Sequence, residues 1–193
     1  MMISLKLATK DDLPQMANLH KKLYSSSHFT SFFSQELLIK YYGYFFEDTD
    51  RVIKAVAHNS NMCGFVVVGS SMAEKINVFK KENRADILKT ALCYPKAAAG
   101  KVIASLFFKL FDKHEPFSEC PFLILSIVSD RSSPTIGPKL LTESKKMAKL
   151  QQQERIGLYV RINNIRAVNF YLKNGFSIKG YSTGQFYLEA STS

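Results

Sequence analysis

The sequence has few cysteines and no histidine cluster, and both shortages narrow the class of protein. Its three cysteines, Cys63, Cys93 and Cys120, are odd in number and widely spaced, without a C-x-x-C pair. This spacing favours neither a zinc site nor a disulfide framework, so we expect a reducing, cytoplasmic compartment. The four histidines show no metal-ligand spacing, and we expect no metal.

Long hydrophobic runs are also missing. No uninterrupted apolar stretch reaches the roughly 18 residues that a membrane-spanning helix needs. The N-terminal stretch MMISLKLATKDD has no long apolar segment of the kind found in signal peptides. We therefore expect no membrane partner and no signal peptide. The chain has 193 residues, 46% hydrophobic and 22% charged, without repeats or linkers, which is typical of one soluble domain over residues 1–193.

Acidic residues are scarce, because 16 Asp and Glu are set against 26 Lys and Arg, which gives a formal charge of +10. Such a charge suits an anionic partner or serves solubility. Many lysines between Lys75 and Lys113 are mixed with acidic residues, a pattern typical of a solvated helix face. No zinc finger, RNA-binding aromatic motif or basic zipper is present, so we do not expect a nucleic-acid partner. Both a monomer and a homodimer remain open.

Alternation and helical periodicity predict a mixed α/β domain with a helical insertion over 72–113. Within the insertion, breaks at Tyr94-Pro95 and Gly100 predict two helices, the second carrying the apolar residues between Val102 and Phe111. The other predicted elements are a strand over 3–7, helices over 11–23 and 34–45, a hairpin of strands over 52–58 and 63–68, a strand over 121–128, a helix over 137–152, a strand over 156–160, a helix after Asn164, and strands over 176–180 and 185–189.

Two of these helices carry further signals. Thr9 and Asp12 form a variant of the capping box before the first helix. The helix over 137–152 is expected to turn four apolar residues toward the core, namely Leu140, Leu141, Met147 and Leu150.

The most informative motif is N-x-x-A-x-x-F-Y-x-x-x-G-F, which begins at Asn164. Asn164 is a good N-cap for the helix that follows it. Ala167, Phe170 and Tyr171 then lie at i, i+3 and i+4 on one face of that helix. Gly175 suits the left-handed residue that ends a helix. By itself the motif fits an amphipathic helix with a buried aromatic pair as well as it fits a functional helix.

A second motif lies between the strand over 121–128 and the next helix, where the chain reads SDRSSPTIGPKLL from Ser129. A loop before a helix N-terminus points several backbone amides at one place, and small residues admit a phosphate there. Arg131 and Lys139 would add positive charge, whereas Pro138 has no N–H to contribute. By itself this is a plain strand-to-helix loop rich in capping residues.

Taken together, the two motifs resemble in order and separation those of the GNAT superfamily of acetyl-CoA-dependent N-acetyltransferases. The resemblance is firm from Phe122 to Phe176 and loose before it. Against the family pattern Arg/Gln-x-x-Gly-x-Gly/Ala, Ser132 replaces the first residue, Thr135 replaces the first glycine and Gly137 matches the last. The resemblance implies the GNAT fold, a central twisted and mostly antiparallel mixed sheet of about six or seven strands flanked by helices.

By that resemblance, acetyl-CoA is the co-substrate and Tyr171 is the catalytic general acid that protonates the departing thiol. A backbone N–H near Val128 would stabilise the oxyanion. Asn164 would bond the pantetheine arm. The cofactor-binding residues that the resemblance implies are Ile127, Val128, Ser129, Ser132, Ser133, Thr135, Ile136, Gly137, Lys139, Asn164, Ala167 and Phe170.

The resemblance leaves the general base and the acceptor open. Several family members place a glutamate on or beside the strand that here runs over 122–128, which contains no carboxylate. The candidates for the base are Glu36, His28, Tyr159 and a water chain with Ser126 or Ser129. An aromatic-rich wall would face a sugar, a nucleobase or an apolar side chain, or would serve core packing, and it consists of Tyr24, His28, Phe29, Phe32, Phe33, Tyr41 and Tyr42.

The predicted function is transfer of an acetyl group from acetyl-CoA to a primary amine of a small molecule, for instance a nucleotide-linked amino sugar, in a ternary complex. The alternatives are acetylation of a protein amine, a non-catalytic acyl-CoA-binding or regulatory module of the same fold, and a basic nucleic-acid-binding protein. The insertion over 72–113 would cover the acceptor site, form a dimer contact or extend the core.

Overall fold

A computed structural model of the chain describes residues 3–24, 28–46, 51–57, 61–96, 99, 119–130, 133–182 and 184–193. Their seven strands form one sheet in the order β1-β2-β3-β4-β5-β7-β6. The strands are β1 (Ile3–Leu7), β2 (Arg51–Ala57), β3 (Met62–Ser70), β4 (Phe122–Ser129), β5 (Arg155–Arg161), β6 (Ser177–Ser182) and β7 (Gln185–Ser191). The helices are α1 (Leu13–Leu23), α2 (Gln35–Gly43), α3 (Met72–Glu82), α4 (Arg84–Cys93), α5 (Ile136–Leu150) and α6 (Ile165–Lys173), with 3-10 turns at Lys10–Asp12 and Phe29–Phe32.

Every neighbouring pair of strands in this sheet is antiparallel except β4 and β5. These two run parallel, with Leu123 opposite Gly157 and Ile124 opposite Leu158. Both strands continue for several residues without further pairing to each other in the described part of the sheet. The sheet therefore opens between the C-terminal halves of β4 and β5.

A bulge in β4 determines which side chains face the two sides of this opening. Ile124 lies opposite Val68 and Ser126 lies opposite Val67, so Leu125 is an extra residue in the strand. An extra residue reverses the alternation of side chains beyond it. Ile124 therefore packs in the core beneath α5, whereas Ser126 turns toward α1 and α2.

The two faces of the sheet carry separate hydrophobic clusters. On one face, Val66 and Leu158 pack with α5 and α6. On the other face, Phe65 and Val67 pack with α1, α2 and α3. Because Phe65, Val66 and Val67 are consecutive on β3, the alternation of this strand separates the two clusters.

The predicted order of strands and helices is confirmed within the described residues, as is the fold class. The backbone N–H of Thr9 donates to the Asp12 carboxylate at 2.8 Å, as the capping signal predicts. The second predicted helix of the insertion falls almost entirely on residues 97–98 and 100–118, outside the described residues.

Two details of the sequence prediction are wrong. Residues 72–93 form two helices instead of one, because the chain breaks at Asn83, whose side-chain amide donates to the Phe79 carbonyl at 3.0 Å. Leu150 is 75% exposed instead of inward. It lies about two and a half turns beyond Leu141, which places it on the opposite side of α5. Ala148 occupies the inward position there.

Candidate functional site

A cavity of about 2100 Å³ lies where β4 and β5 part. Its walls come from β4, the C-terminal half of β5, the first turn of α5, the first two turns of α6, and α1 to α4. The predicted catalytic and cofactor-binding residues that line it are Ile127, Val128, Ser129, Ser133, Gly137, Asn164, Ala167, Phe170 and Tyr171. The fold thus brings both motifs to one cavity.

Helix α6 is built as its sequence motif predicts. The Asn164 side-chain oxygen accepts from the backbone N–H of Ala167 at 3.3 Å, which caps the helix. Gly175 has a φ of +83°, the left-handed conformation expected after a helix end. Phe170 packs edge-on against Tyr171, with 5.2 Å between ring centroids. This local geometry turns one face of α6 toward the cavity.

Tyr171 is 6% exposed and packs between the rings of Phe170 and Phe176. Burial raises the pKa of its phenol, and the neighbouring Tyr24 raises that pKa further. The phenol is therefore protonated at neutral pH and has a proton to donate into the cavity.

The loop before α5 forms only part of the predicted phosphate site. Ser133 and Thr135 share a hydrogen bond of 2.8 Å between their hydroxyls, and no side chain caps the helix. The Thr135 N–H donates to Ser133 Oγ and the Ile136 N–H donates to the Ser133 carbonyl, each at 3.4 Å. These long contacts hold the two amides only weakly at the start of α5. Thr135 and Lys139 are exposed, and the side chain of Ile136 is fully buried in the core. Ser132 and Arg131 lie outside the described residues.

Four side chains, three of them buried and Tyr24 half-buried, form a hydrogen-bonded chain on the side of the cavity that faces α1 and α2. The Tyr24 hydroxyl lies 2.7 Å from Ser126 Oγ, and Ser126 Oγ lies 3.3 Å from the Tyr42 hydroxyl. The Tyr42 hydroxyl lies 2.6 Å from Nδ1 of His20. The His20 ring also stacks on Tyr24, with 3.9 Å between centroids.

The electrostatics of this chain keep its members neutral. Burial, and to a lesser extent the charges of His28 and Lys21, lowers the pKa of His20 to about 3. Burial raises the pKa values of Tyr24 and Tyr42. His20 is missing from the residues that the sequence singled out. The signal in the sequence was the spacing of four residues between His20 and Tyr24, the residue that follows α1. This spacing places both rings on one side of the helix.

The candidates for a general base differ in whether they line the cavity. Glu36 is exposed in the first turn of α2, away from the described lining of the cavity. His28, Tyr159, Ser126 and Ser129 all line it.

The Tyr159 hydroxyl donates to the carboxylate of Glu119, which also lines the cavity. Burial and this carboxylate raise the pKa of Tyr159. Sequence reasoning overlooked Glu119 because it precedes β4 instead of lying on that strand.

The aromatic wall predicted for the acceptor is largely assembled. Phe32 instead packs against Tyr94, with 4.8 Å between ring centroids. Phe33 and Tyr42 are buried and so belong to the core as well as to the wall. The members of the predicted wall that line the cavity are Tyr24, His28, Phe29, Phe33, Tyr41 and Tyr42.

None of the helices in the described residues has the length and apolar character needed to cross a membrane. No three His, Cys, Asp or Glu side chains among these residues are grouped so that they could hold a metal ion.

Comparison with known proteins finds the same fold in several solved structures. No protein-family profile and no curated protein sequence matches the chain. The PaiA N-acetyltransferase of Thermoplasma acidophilum, solved with coenzyme A, is 16% identical, with 99% of each chain covered and a TM-score of 0.59. A spermidine N-acetyltransferase chimera from Vibrio cholerae is 13% identical, with 100% of this chain and 96% of the other covered and a TM-score of 0.61.

A third structure, a protein from Desulfovibrio desulfuricans assigned to the GNAT family, is 15% identical, with 100% of each chain covered and a TM-score of 0.55. At these identities the likeness concerns the fold. The chain has the GNAT acetyltransferase fold that its two motifs predict.

Proposed function

We propose that this protein transfers an acetyl group from acetyl-CoA to the primary amine of a small molecule. The observation that carries the proposal is the contact between the two motifs at one cavity, where Gly137 on α5 lies against Phe170 on α6 and Tyr171 faces the same space. The complex of a fold neighbour with coenzyme A supports it.

In this proposal the coenzyme A pyrophosphate binds at the N-terminus of α5. The Gly137 amide and the helix dipole attract its charge, and the Thr135 and Ile136 amides would join them by exchanging their 3.4 Å contacts with Ser133 for the phosphate. Ser132 belongs to the proposed site but lies outside the described residues. Lys139 adds a counter-charge from the exposed side.

The pantetheine arm lies in the opening between β4 and β5, along Ile127, Val128 and Ser129. Asn164 donates to it through its amide nitrogen, because the oxygen of this side chain caps α6. Ala167 and Phe170 cover the arm from α6.

The acetyl transfer then proceeds by direct attack. The neutral amine nitrogen attacks the thioester carbonyl carbon, and a backbone N–H near Val128 donates to the resulting oxyanion. The carbon–sulfur bond breaks, and Tyr171 gives its proton to the departing sulfur. The nitrogen loses one proton as the amide forms, so that one proton enters the thiol and one leaves the amine.

The proton of the amine leaves through the acceptor side of the cavity. Tyr159 with its partner Glu119, His28, and a water held by Ser126 or Ser129 are the groups in place to receive it. His20 is a poor receiver, because burial holds its pKa at about 3.

The acceptor lies against the aromatic wall, with α3 and α4 beside it. Ile76, Phe79 and Ile87 of α3 and α4 line the cavity, which supports a covering role for the insertion over 72–113. Aromatic side chains and positive charge suit an amine on an anionic, ring-containing molecule, for instance a nucleotide-linked amino sugar.

Calorimetry with acetyl-CoA, followed by thiol release and mass spectrometry of products across an amine panel, tests the proposal. The panel contains amino sugars with and without phosphate, amino acids, spermidine and a peptide N-terminus. We expect binding of acetyl-CoA and an acetylated product from at least one small amine. No heat with acetyl-CoA would overturn the proposal, and binding without any transfer would favour an acyl-CoA-binding module.

A further inference from the structure

Arg161, the last residue of β5, turns its side chain into the acceptor side of the cavity. β5 pairs with β7 without a bulge from Arg155 to Arg161. Leu158 and Val160 belong to the cluster beneath α5 and α6, so alternation turns Arg161 to the opposite face. That face is the one to which Ser126 and Tyr24 belong, and Arg161 lines the cavity together with them.

The guanidinium of Arg161 is incompletely satisfied. Its Nε is buried and has no hydrogen-bond partner among the described residues. Burial lowers its pKa, the direction expected for a cation without a nearby counter-charge. A buried donor left unpaired destabilises the protein, and more so when it is charged.

Arg155 offers an internal comparison, because it lies on the same strand and the same face. Its Nη1 donates to the buried carboxylate of Glu189 at 2.8 Å. Arg161 instead lies opposite Gln185 in the register of β5 and β7, where no carboxylate is supplied. The fold therefore neutralises one arginine of β5 and leaves the other facing the cavity.

The rest of the cavity reinforces this positive character. Its described lining includes the cations Lys22, Lys80 and Arg166 besides Arg161, against the carboxylates Glu119 and Asp130. Glu119 already accepts a hydrogen bond from Tyr159. A guanidinium presents a planar fork of N–H donors that matches the two oxygens of a phosphate or carboxylate.

We propose that Arg161 binds an oxyanion of the acceptor, a phosphate or a carboxylate, and thereby selects anionic amines over polyamines. The identity of this ligand as the acceptor rests on the proposed acetyl transfer, whereas the oxyanion contact itself does not.

The contact is tested directly by the NMR signal of the Arg161 Nε–H group, assigned by its loss in Arg161→Lys. The protein is first saturated with coenzyme A, so that the phosphates of the cofactor occupy their own sites. Inorganic phosphate, glucosamine 6-phosphate and glutamate are then added, with glucosamine and spermidine as controls at equal ionic strength. We expect a saturable shift with at least one oxyanion probe and none with the controls. An unchanged Arg161 signal would overturn the proposal, whether or not the protein acetylates amines.

Steady-state kinetics then show whether Arg161 prefers a phosphate or a carboxylate on the acceptor. Glucosamine 6-phosphate is compared with glucosamine, and glycine with glycinamide. For the preferred oxyanion, Arg161→Gln should raise the KM for the amine that carries it by about tenfold or more. The KM for the matched amine without the oxyanion should change by less than about twofold. The KM of Arg161→Lys for this amine should lie between those of the unmodified protein and Arg161→Gln, because lysine keeps the charge but lacks the planar fork of donors. Arg84→Gln, which removes an exposed arginine from the start of α4, should change neither.

Calorimetry with acetyl-CoA on the same variants completes the test. We expect the Kd for acetyl-CoA to stay within about twofold in Arg161→Gln. A large loss of acetyl-CoA affinity would assign Arg161 to the cofactor and overturn the proposal. A shifted Arg161 signal with no transfer to any amine would leave the oxyanion site standing and defeat only the proposed acetyl transfer.

Discussion

Gly137 and Phe170 meet at the wall of the cavity so closely that a Cβ on Gly137 would lie 3.3 Å from Cζ of the Phe170 ring. This distance is tighter than ordinary contact, so the first turn of α5 and the exposed face of α6 are fitted to each other. The glycine of one motif therefore depends on the aromatic residue of the other. The two motifs are far apart in sequence, but their residues form one contact in the fold.

Gly137→Ala should destabilise the protein by about 1 kcal/mol, and Gly137→Val by about 2–3 kcal/mol, because added methyl groups press on the Phe170 ring. The free energy of unfolding in urea measures both effects. Acetyl-CoA affinity should fall in the same order, since α5 is displaced from α6.

Two variants control this prediction. Gly43→Ala adds a methyl group that meets no atom within 4 Å at the end of α2, and it should be neutral or slightly stabilising. Phe170→Leu should relieve the strain, so that the loss in the double variant is smaller than the sum of the two single losses. Strict additivity of Gly137→Ala and Phe170→Leu would contradict the contact.

Ser126→Ala should cost about 1–3 kcal/mol of unfolding free energy, because it removes the oxygen that Tyr24 and Tyr42 share. Ser144→Ala is the matched control. Its hydroxyl is also buried but only donates back to the Leu140 carbonyl within α5, so its loss should be near zero. Equal losses for the two serines would argue against a buried hydroxyl chain.

The sequence predicted α6 well because its signals are local. Asn164, the aromatic pair and Gly175 each act within a few residues of one helix, and all behave as predicted. Helix α5 was predicted less accurately, since apolar character alone placed Leu150 in the core, whereas helical phase puts it outside.

The bulge at Leu125 was beyond sequence reasoning for a different reason. It exists only in the register between β3 and β4, strands separated by the whole insertion. Without the bulge, Ser126 would share a face with Ile124 and could not reach Tyr24. The hydroxyl chain and the role of His20 therefore depend on a long-range register that no local pattern specifies.

His20 should make the stability of the protein depend on pH. Its pKa is about 3 in the folded state, because burial disfavours the charged ring, and near 6.5 when unfolded. Between these values the unfolded state binds the proton and the folded state does not. The free energy of unfolding therefore decreases as pH falls from 6.5 toward 3, by up to about 1.4 kcal/mol per pH unit. His20 adds almost no pH dependence above about pH 8.

Urea unfolding of the protein and of His20→Gln between pH 7 and 4.5 measures this slope. The variant cannot titrate at this position, so its stability should fall less steeply over the same range. His28→Gln, which removes a less buried imidazole at the cavity edge, serves as the control. It should keep most of the slope, because burial, and not the charge of His28, is the main cause of the lowered His20 pKa. Parallel curves for the protein and His20→Gln would show that His20 is not the group that titrates.

Tyr171→Phe should lower kcat for acetyl transfer by about 100-fold or more, because it removes the proton that the departing thiolate needs. The ring still fills the space between Phe170 and Phe176, so acetyl-CoA affinity and stability should change little. Tyr181→Phe, on β6 outside the described lining of the cavity, is the control for loss of a phenol.

Burial and Tyr24 raise the pKa of Tyr171, so its ionisation should not limit the rate below about pH 10. Unchanged turnover in Tyr171→Phe would remove this phenol from the chemistry while leaving the cofactor site in place, since Gly137, Asn164 and Phe170 do not depend on its hydroxyl.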